Sequence, residues 1–439
     1  MLELMLLIIT IHGGVNEIGG NKIILEDKDA KILLDFGMSY KDRAKFYSEP
    51  WLIPRDEHDL LEFGILPNID GIYKFDDKKS IDAFFLSHAH TDHYKYVSFL
   101  NRSIDMYCGK GTKSLLDIFN KVRYSNFEHD LADIRWNTFS TNDVIKIGSL
   151  SIEPIHVDHS IPAAYAFIIH ASNSSIAYTG DLRLHGSRND LTRDFIEKAR
   201  DADIDAILCE GTNLGRGEVV SEDEVYNKVR YAIQAVKGLV IAGFSIADID
   251  RFRTFYNASL INDRRIVITP KQAYLLNSLK DIIDLPDKDN ISVYRRNKKR
   301  YYQYEQEMFD EYQTLDAEDI RKNQSKYILV SQFQDLRELI DIKPNAGSCY
   351  IYSSSEPFNE ESEIEFDRFN NWLDHFALPM YHIHASGHIM PMDLRHMLEE
   401  IEPNIIIPIH TEHANMFAKW CSDISQFIIP ERSKPIELK

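Results

Sequence analysis

Ser87-His88-Ala89-His90-Thr91-Asp92-His93 decides how this chain is read. Three imidazoles and a carboxylate stand within six residues, directly after the apolar run Ile81-Asp82-Ala83-Phe84-Phe85-Leu86. An apolar run that stops at such a cluster predicts a strand ending in a loop that holds metal. Alternate residues of an extended segment point the same way, so His88 and His90 can face one metal. Asp92 and His93 follow as the chain turns and point elsewhere, at a second metal close by. Imidazole and carboxylate ligands without thiolate suit zinc or manganese. Four residues cannot complete two metal shells, so the rest of the chain must supply more.

Three further candidates sit at strand-to-loop transitions. His159 stands in Val157-Asp158-His159-Ser160-Ile161-Pro162. Asp181 ends Tyr178-Thr179-Gly180-Asp181 and offers a carboxylate able to bridge two metals. His410 ends Ile405-Ile406-Ile407-Pro408-Ile409-His410. Each alone reads more readily as a capped turn or a satisfied surface histidine; beside the cluster at 88–93, the ligand reading is preferred. His156 competes with His159, and His159 is favoured.

With 439 residues the chain is too long for one ordinary core, so two domains are the default. A hydrophobic content of 44% describes a globular protein. Cys108, Cys209, Cys349 and Cys421 are far apart, which argues for a reducing, cytoplasmic setting and against a disulfide framework. The apolar run from Met1 to Ile11 is short, carries Glu3 and has no basic leader; it reads as a first strand, and no membrane span is expected. A net charge of −19 argues against a protein that coats nucleic acid, yet local fields decide how a polyanion docks in a cleft. The densest basic run, Tyr294-Arg295-Arg296-Asn297-Lys298-Lys299-Arg300-Tyr301-Tyr302, is either a solvated loop or a backbone-contacting patch with rings for stacking.

Strands are expected at Lys31–Phe36, Leu150–Ile155, Ala164–His170, Ser175–Thr179 and Ile204–Cys209, with helices at Lys113–Val122 and Thr192–Ala202. The turn-rich stretch Gly211–Gly217 suits a boundary, and Ser221 with Glu224 forms a capping box. Beyond it, Gly238–Gly243, Ile246–Tyr256, Arg265–Thr269, Tyr327–Val330 and Ser348–Tyr352 carry a βαβ rhythm, expected of a mostly parallel sheet. Histidines return after Phe376-Ala377-Leu378-Pro379; of these, His382, His384, His396 and His413 read as structural or surface residues. Residues 213–377 therefore form a domain inserted into a first domain made of residues 1–212 and 378–439.

These motifs, in this order, resemble the metallo-β-lactamase superfamily, and within it the β-CASP nucleases of the RNase J type. Ser87 to His93 is similar to the superfamily signature, and His159 and Asp181 to its next two metal motifs. Cys209-Glu210-Gly211-Thr212-Asn213 resembles the acidic motif that opens the β-CASP insertion. Ala385-Ser386-Gly387-His388 and Pro408-Ile409-His410-Thr411-Glu412 resemble the two histidine motifs after it. Gly13 to Asn21 and Leu33-Leu34-Asp35-Phe36-Gly37 fit the first strands of these enzymes, and Phe244-Ser245 with Arg251 a segment near the RNA path.

The resemblance implies an α/β fold: an αββα sandwich with an inserted, mostly parallel β-CASP domain. It implies a metal-dependent ribonuclease, 5′-to-3′ exonuclease, endonuclease or both, leaving 5′-phosphate and 3′-hydroxyl ends. His88, His90 and His159 would hold one divalent ion; Asp92, His93 and His410 the other; Asp181 would bridge. Zinc is preferred and manganese allowed. His388 would contact phosphate and protonate the leaving oxygen, Glu210 would orient His388, and Ser386, Gly387, Ser245 and Arg251 would touch RNA. RNA is the expected substrate, and a homodimer is left open.

Three departures stand out. Ala163 and Ala164 replace the usual acidic residue after H-S-I-P. Glu210 stands where RNase J enzymes usually have Asp. The chain stops at Lys439, without the extra domain of bacterial RNase J, which puts the bacterial mode of dimerisation in question. A DNA-directed β-CASP enzyme is the runner-up; that branch tends to have Val at position 410, so His410 favours RNA. A lactonase or thioesterase would lack the insertion. A scaffold with a degenerate site is disfavoured because every expected ligand is present.

Overall fold

The computed structural model describes residues 6–48, 51–122, 127–215, 220–355 and 360–438. It comprises two compact units, residues 1–218 with 387–439, and residues 219–386.

In the first unit two seven-stranded sheets pack face to face. One runs in the order Pro435–Leu438, Leu7–Gly13, Lys22–Asp27, Ala30–Leu34, Ala83–Leu86, Asp105–Gly109, Trp136–Phe139. Its first four strands pair antiparallel and its last four parallel. The other runs Gln426–Phe427, Ile405–Ile409, Ala206–Glu210, Ser175–Tyr178, Ala164–His170, Leu150–Val157, Ile145–Ile147, parallel at the start and antiparallel at the end. Ala83–Leu86 lies between parallel neighbours with both faces covered, which is why it reads as an unbroken apolar run. Ile9, Ile32 and Phe85 meet Ile152, Phe167, Leu208 and Ile407 in the core between the sheets. Phe85 is fully buried, worth roughly 2–3 kcal/mol of transfer free energy. Helices Asn189–Asp201 and Pro391–Ile401 cover the outer face of the second sheet through Phe195, Ile196, Leu394 and Leu398. Helix Lys110–Val122 packs on the first sheet. The layers are α, β, β, α.

The second unit is built on one all-parallel sheet: Gln313–Leu315, Ile291–Tyr294, Arg265–Ile268, Tyr327–Val330, Val240–Gly243, Cys349–Tyr352, Met380–His382. Helices flank it, with Leu239, Ile241, Leu329, Tyr350 and Phe369 in one core. The capping box at Ser221 and Glu224 is present. The helix expected from Ile246 spans Ile249–Ile261, because the Asp248 side chain caps it by accepting from the Arg251 N–H.

The expected return to the first domain at residue 378 differs from the division seen. Met380–His382 pairs with Cys349–Tyr352, so residues 378–386 complete the second unit's sheet. Three residues, none of them fully buried, gave no strand signal. Part of the expected boundary stretch Gly211–Gly217, and the first residues of the expected N-terminal strand, lie outside the described residues; that strand is seen from Leu7.

Candidate metal and hydrolytic centre

The strand Ala83–Leu86 delivers Ser87 and His88 in extended form, and His90 then stands at the N-cap of the short helix Thr91–Tyr94. That change from strand to helix separates the cluster into two sets. His88 Nε2 lies 3.1 Å from His90 Nδ1, which lies 3.0 Å from His159 Nε2. His159 Nδ1 donates to the Gly387 carbonyl at 2.5 Å, so its Nε2 carries the free lone pair. Burial holds His88 and His159 well below the ordinary imidazole value and His90 down to about 4. Three neutral imidazoles thus converge on one point, where their lone pairs repel without a cation between them.

The second set is fixed from behind. His93 Nδ1 donates to Asp35 Oδ2 at 2.7 Å, leaving Nε2 toward the cluster, buried and without a hydrogen-bond partner. Asp35 also accepts from the Ser87 N–H, the Ser87 hydroxyl and the Tyr178 hydroxyl, and Asn21 in turn donates to Tyr178. His410 follows Ile405–Ile409 in a left-handed conformation, φ 50°, its Nε2 lying 3.3 Å from Asp92 Oδ2. Its Nδ1 meets the Thr212 hydroxyl at 2.9 Å. Gly19, φ 78°, packs against Asp92; a Cβ there would stand 2.6 Å from the carboxylate.

Asp181 lies between the two sets. It follows Gly180, whose φ of 53° lets the strand turn at once. Its Oδ2 is 3.2 Å from His93 Nε2, 3.5 Å from His88 Nε2, 3.7 Å from His410 Nε2 and 3.8 Å from His159 Nε2. Both its oxygens are buried without a hydrogen-bond partner. Burial opposes its charge, but His410, His93 and His388 outweigh that and hold it well below the usual carboxylate value. An ionised buried carboxylate with four imidazole nitrogens within 4 Å fits divalent metal binding. His88, His90, His159 and Asp181 form one possible ligand group, and Asp92, His93, Asp181 and His410 a second.

Glu210 closes Ala206–Glu210 and accepts from the Thr212 hydroxyl at 2.7 Å. His388 Nδ1 lies 3.3 Å from both Glu210 oxygens. Burial works against charge on His388, but Glu210 and then Asp181 raise it to about 9. Glu210, His388 and His410 make a third possible ligand group.

The structure thus brings His88, His90, Asp92, His93, His159, Asp181, Glu210, His388 and His410 together. It leaves His156 outside, stacked on Tyr165 at 5.1 Å. Gly387 contributes its carbonyl to His159. Ser386 falls in the second unit. Arg251, expected at the RNA path, is instead fully buried and bonded to the Ser353 hydroxyl, the Ile383 carbonyl and Glu222, a position from which it braces that unit. Ser245 is exposed at the end of Val240–Gly243. Sequence reading missed the positioning roles of Asp35, Tyr178 and Thr212; the signal for Asp35 was a carboxylate directly after the strand run Lys31-Ile32-Leu33-Leu34.

Comparison with known proteins bears on this geometry. Residues 71–241 match the Beta-lactamase superfamily domain. That domain carries His88 to His93, His159, Asp181 and Glu210, while His388 and His410 lie beyond the matched span. The chain is similar to Ribonuclease J of Mycoplasma pneumoniae, 26% identical over 92% of this chain and 68% of that protein. It is 24% identical to Ribonuclease J of Mycoplasma genitalium, over 92% of this chain and 68% of that protein. Against Ribonuclease J of Sinorhizobium meliloti it is 24% identical, over 81% of this chain and 61% of that protein. A crystal structure of a protein of unknown function from Enterococcus faecalis V583 superposes with a TM-score of 0.77 at 25% identity, covering 99% of this chain and all of that one. The α/β layers described above are consistent with the β-lactamase superfamily fold. Among the described residues, no helix is long and apolar enough to cross a membrane.

Proposed function

We propose that the chain is a metal-dependent ribonuclease. The observation that carries this reading is Asp181, a buried carboxylate shared by two groups of imidazoles; the similarity to Ribonuclease J proteins supplies the substrate class. His88, His90 and His159 would hold one divalent ion and Asp92, His93 and His410 a second, with Asp181 within reach of both groups. Zinc suits the donors best, and manganese is the alternative. When bound, the two ions supply an activated hydroxide and neutralise phosphate charge.

The remaining steps belong to side chains. Asp35 and Thr212 fix the rings of His93 and His410 by holding their Nδ1 atoms. Glu210 holds the Nδ1 proton of His388, which keeps that ring cationic beside the site. His388 then gives a proton to the leaving 3′-oxygen, so the products carry 5′-phosphate and 3′-hydroxyl ends. Residues 219–386 are read as a β-CASP insertion, and the four buried free cysteines suit a reducing cytoplasm.

The test is a time course on RNA labelled at either end, carrying 5′-triphosphate, monophosphate or hydroxyl, beside matched DNA. Mononucleotides from the 5′ end indicate exonuclease action, and internal fragments endonuclease action. Full activity in Asp181→Ala would end the proposal; preference for the DNA strand would move it to the DNA-directed reading.

A further inference from the structure

All seven strands of the second unit's sheet are parallel, so their amino ends share one edge. At that edge Gln313–Leu315, Ile291–Tyr294, Arg265–Ile268 and Tyr327–Val330 lie side by side, and a cavity of about 480 Å³ opens across their first residues. That volume falls inside the roughly 300–1,000 Å³ range of small-ligand sites. Arg265 and Tyr327 are register partners there. Asn290 and Lys326 each stand directly before a strand, and Asp263 and Arg264 lead into Arg265.

The lining is cationic, in a chain whose net charge is −19. Arg264 is only 7% exposed, and buried arginines are ordinarily paired with a carboxylate. Here the guanidinium meets backbone carbonyls instead: Nη1 donates to Gly238 at 2.8 Å and to Tyr327 at 3.4 Å, and Nη2 donates to Val236. Burial holds it below the ordinary guanidinium value. Arg265 is half-buried and oriented from behind, its Nε donating to the Ser292 hydroxyl at 2.8 Å and its Nη2 to the Asp289 carbonyl. Lys326 is exposed. Among the described residues no carboxylate pairs with any of these three cations, and neither Nε of Arg264 nor Nη1 of Arg265 has an acceptor. Asp263 is the one carboxylate in the lining, so the cavity keeps two positive charges in excess.

We propose that this cavity binds a phosphate dianion, carried as the head of a small phosphomonoester. A phosphomonoester holds close to two negative charges at neutral pH, which matches the excess in the lining. Guanidinium forks fit phosphate oxygens in pairs, and the free N–H groups of Arg264 and Arg265 are of that kind. Arg264 is already fixed by three carbonyls, so little side-chain freedom is lost when an anion arrives. The volume leaves room beyond the phosphate for the carbon part of the ester, against Leu260 and Tyr327. The site uses no residue of the metal cluster and does not depend on the ribonuclease reading.

The test is isothermal titration calorimetry on the full chain as purified, with glycerol 3-phosphate, inorganic phosphate and dimethyl phosphate at matched ionic strength. Glycerol 3-phosphate should bind most tightly, and dimethyl phosphate, a diester with one charge, most weakly. Arg265→Gln should weaken glycerol 3-phosphate roughly tenfold. Lys326→Ala should weaken it about threefold, and Asp263→Asn should tighten it about threefold, as exposed charges do. Asn accepts the left-handed backbone at position 263, φ 51°, so that variant keeps its fold. Unchanged melting temperatures check the other two, and Lys326→Ala stands alone if Arg265→Gln fails to fold. Phosphate held by the metal ions would not respond to these three positions, so tightening in Asp263→Asn locates the binding here. Equal affinity in wild type and all folded variants, or dimethyl phosphate binding as tightly as glycerol 3-phosphate, overturns the site. Inorganic phosphate binding more tightly than the ester overturns the phosphomonoester assignment.

Discussion

At the scale of single residues, the centre depends on side chains that never touch metal. Asp35 gathers four donors and thereby selects which nitrogen of His93 faces the cluster. Asp35→Asn should cost about 10–100-fold in metal affinity while the chain still folds, checked by competition against a chromophoric chelator. Asp181→Asn should cost more, because both ion groups share that carboxylate; bound metal per chain, measured by elemental analysis, should fall below the wild-type value. The sequence showed the ligands because His88, His90, Asp92 and His93 are packed into one segment. Asp35, Tyr178 and Thr212 were not legible as partners, since only tertiary contacts bring positions 35, 178 and 212 to the rings they hold.

At the scale of elements, strands were legible where burial is two-sided or alternating, as in Ala83–Leu86 and Leu150–Val157. Arg251 was misread because a charge in sequence carries no mark of burial. It joins Ile249–Ile261 to Glu222 at the start of Glu222–Ala235. Arg251→Met should destabilise the protein by about 3–5 kcal/mol, since Glu222 is left as a buried charge; denaturant midpoints would show it, and oligonucleotide affinity of the folded protein should not change. His156, on the strand Leu150–Val157, gives a pH prediction. Burial first, then Arg188, lower it from 6.5 to about 4, so the unfolded chain takes the proton more readily. Its contribution to stability is complete above pH 6.5 and is lost as pH falls toward 4. By linkage wild type should lose about 2 kcal/mol more than His156→Gln between pH 8 and pH 5, read from urea midpoints in chelator.

At the scale of the whole molecule, the βαβ rhythm announced a parallel sheet, while its last strand, Met380–His382, is too short to announce itself. Removing metal should lower the melting temperature and restoring zinc or manganese should raise it, since a ligand at a hundred times its dissociation constant adds about 2.7 kcal/mol to the folded state. A chelator that left the transition unmoved would count against structural coupling of the ions.

His410 stands 317 residues after His93 (410 − 93), on a strand that pairs with Ala206–Glu210. Protein synthesis runs in one direction, so a growing chain carries His88 to His93, His159 and Asp181 long before His410 is added. Until then the second ion group lacks an imidazole and His388 has no partner histidine across the site. The order of translation therefore leaves the second possible ligand group without one of its imidazoles until position 410 has been added.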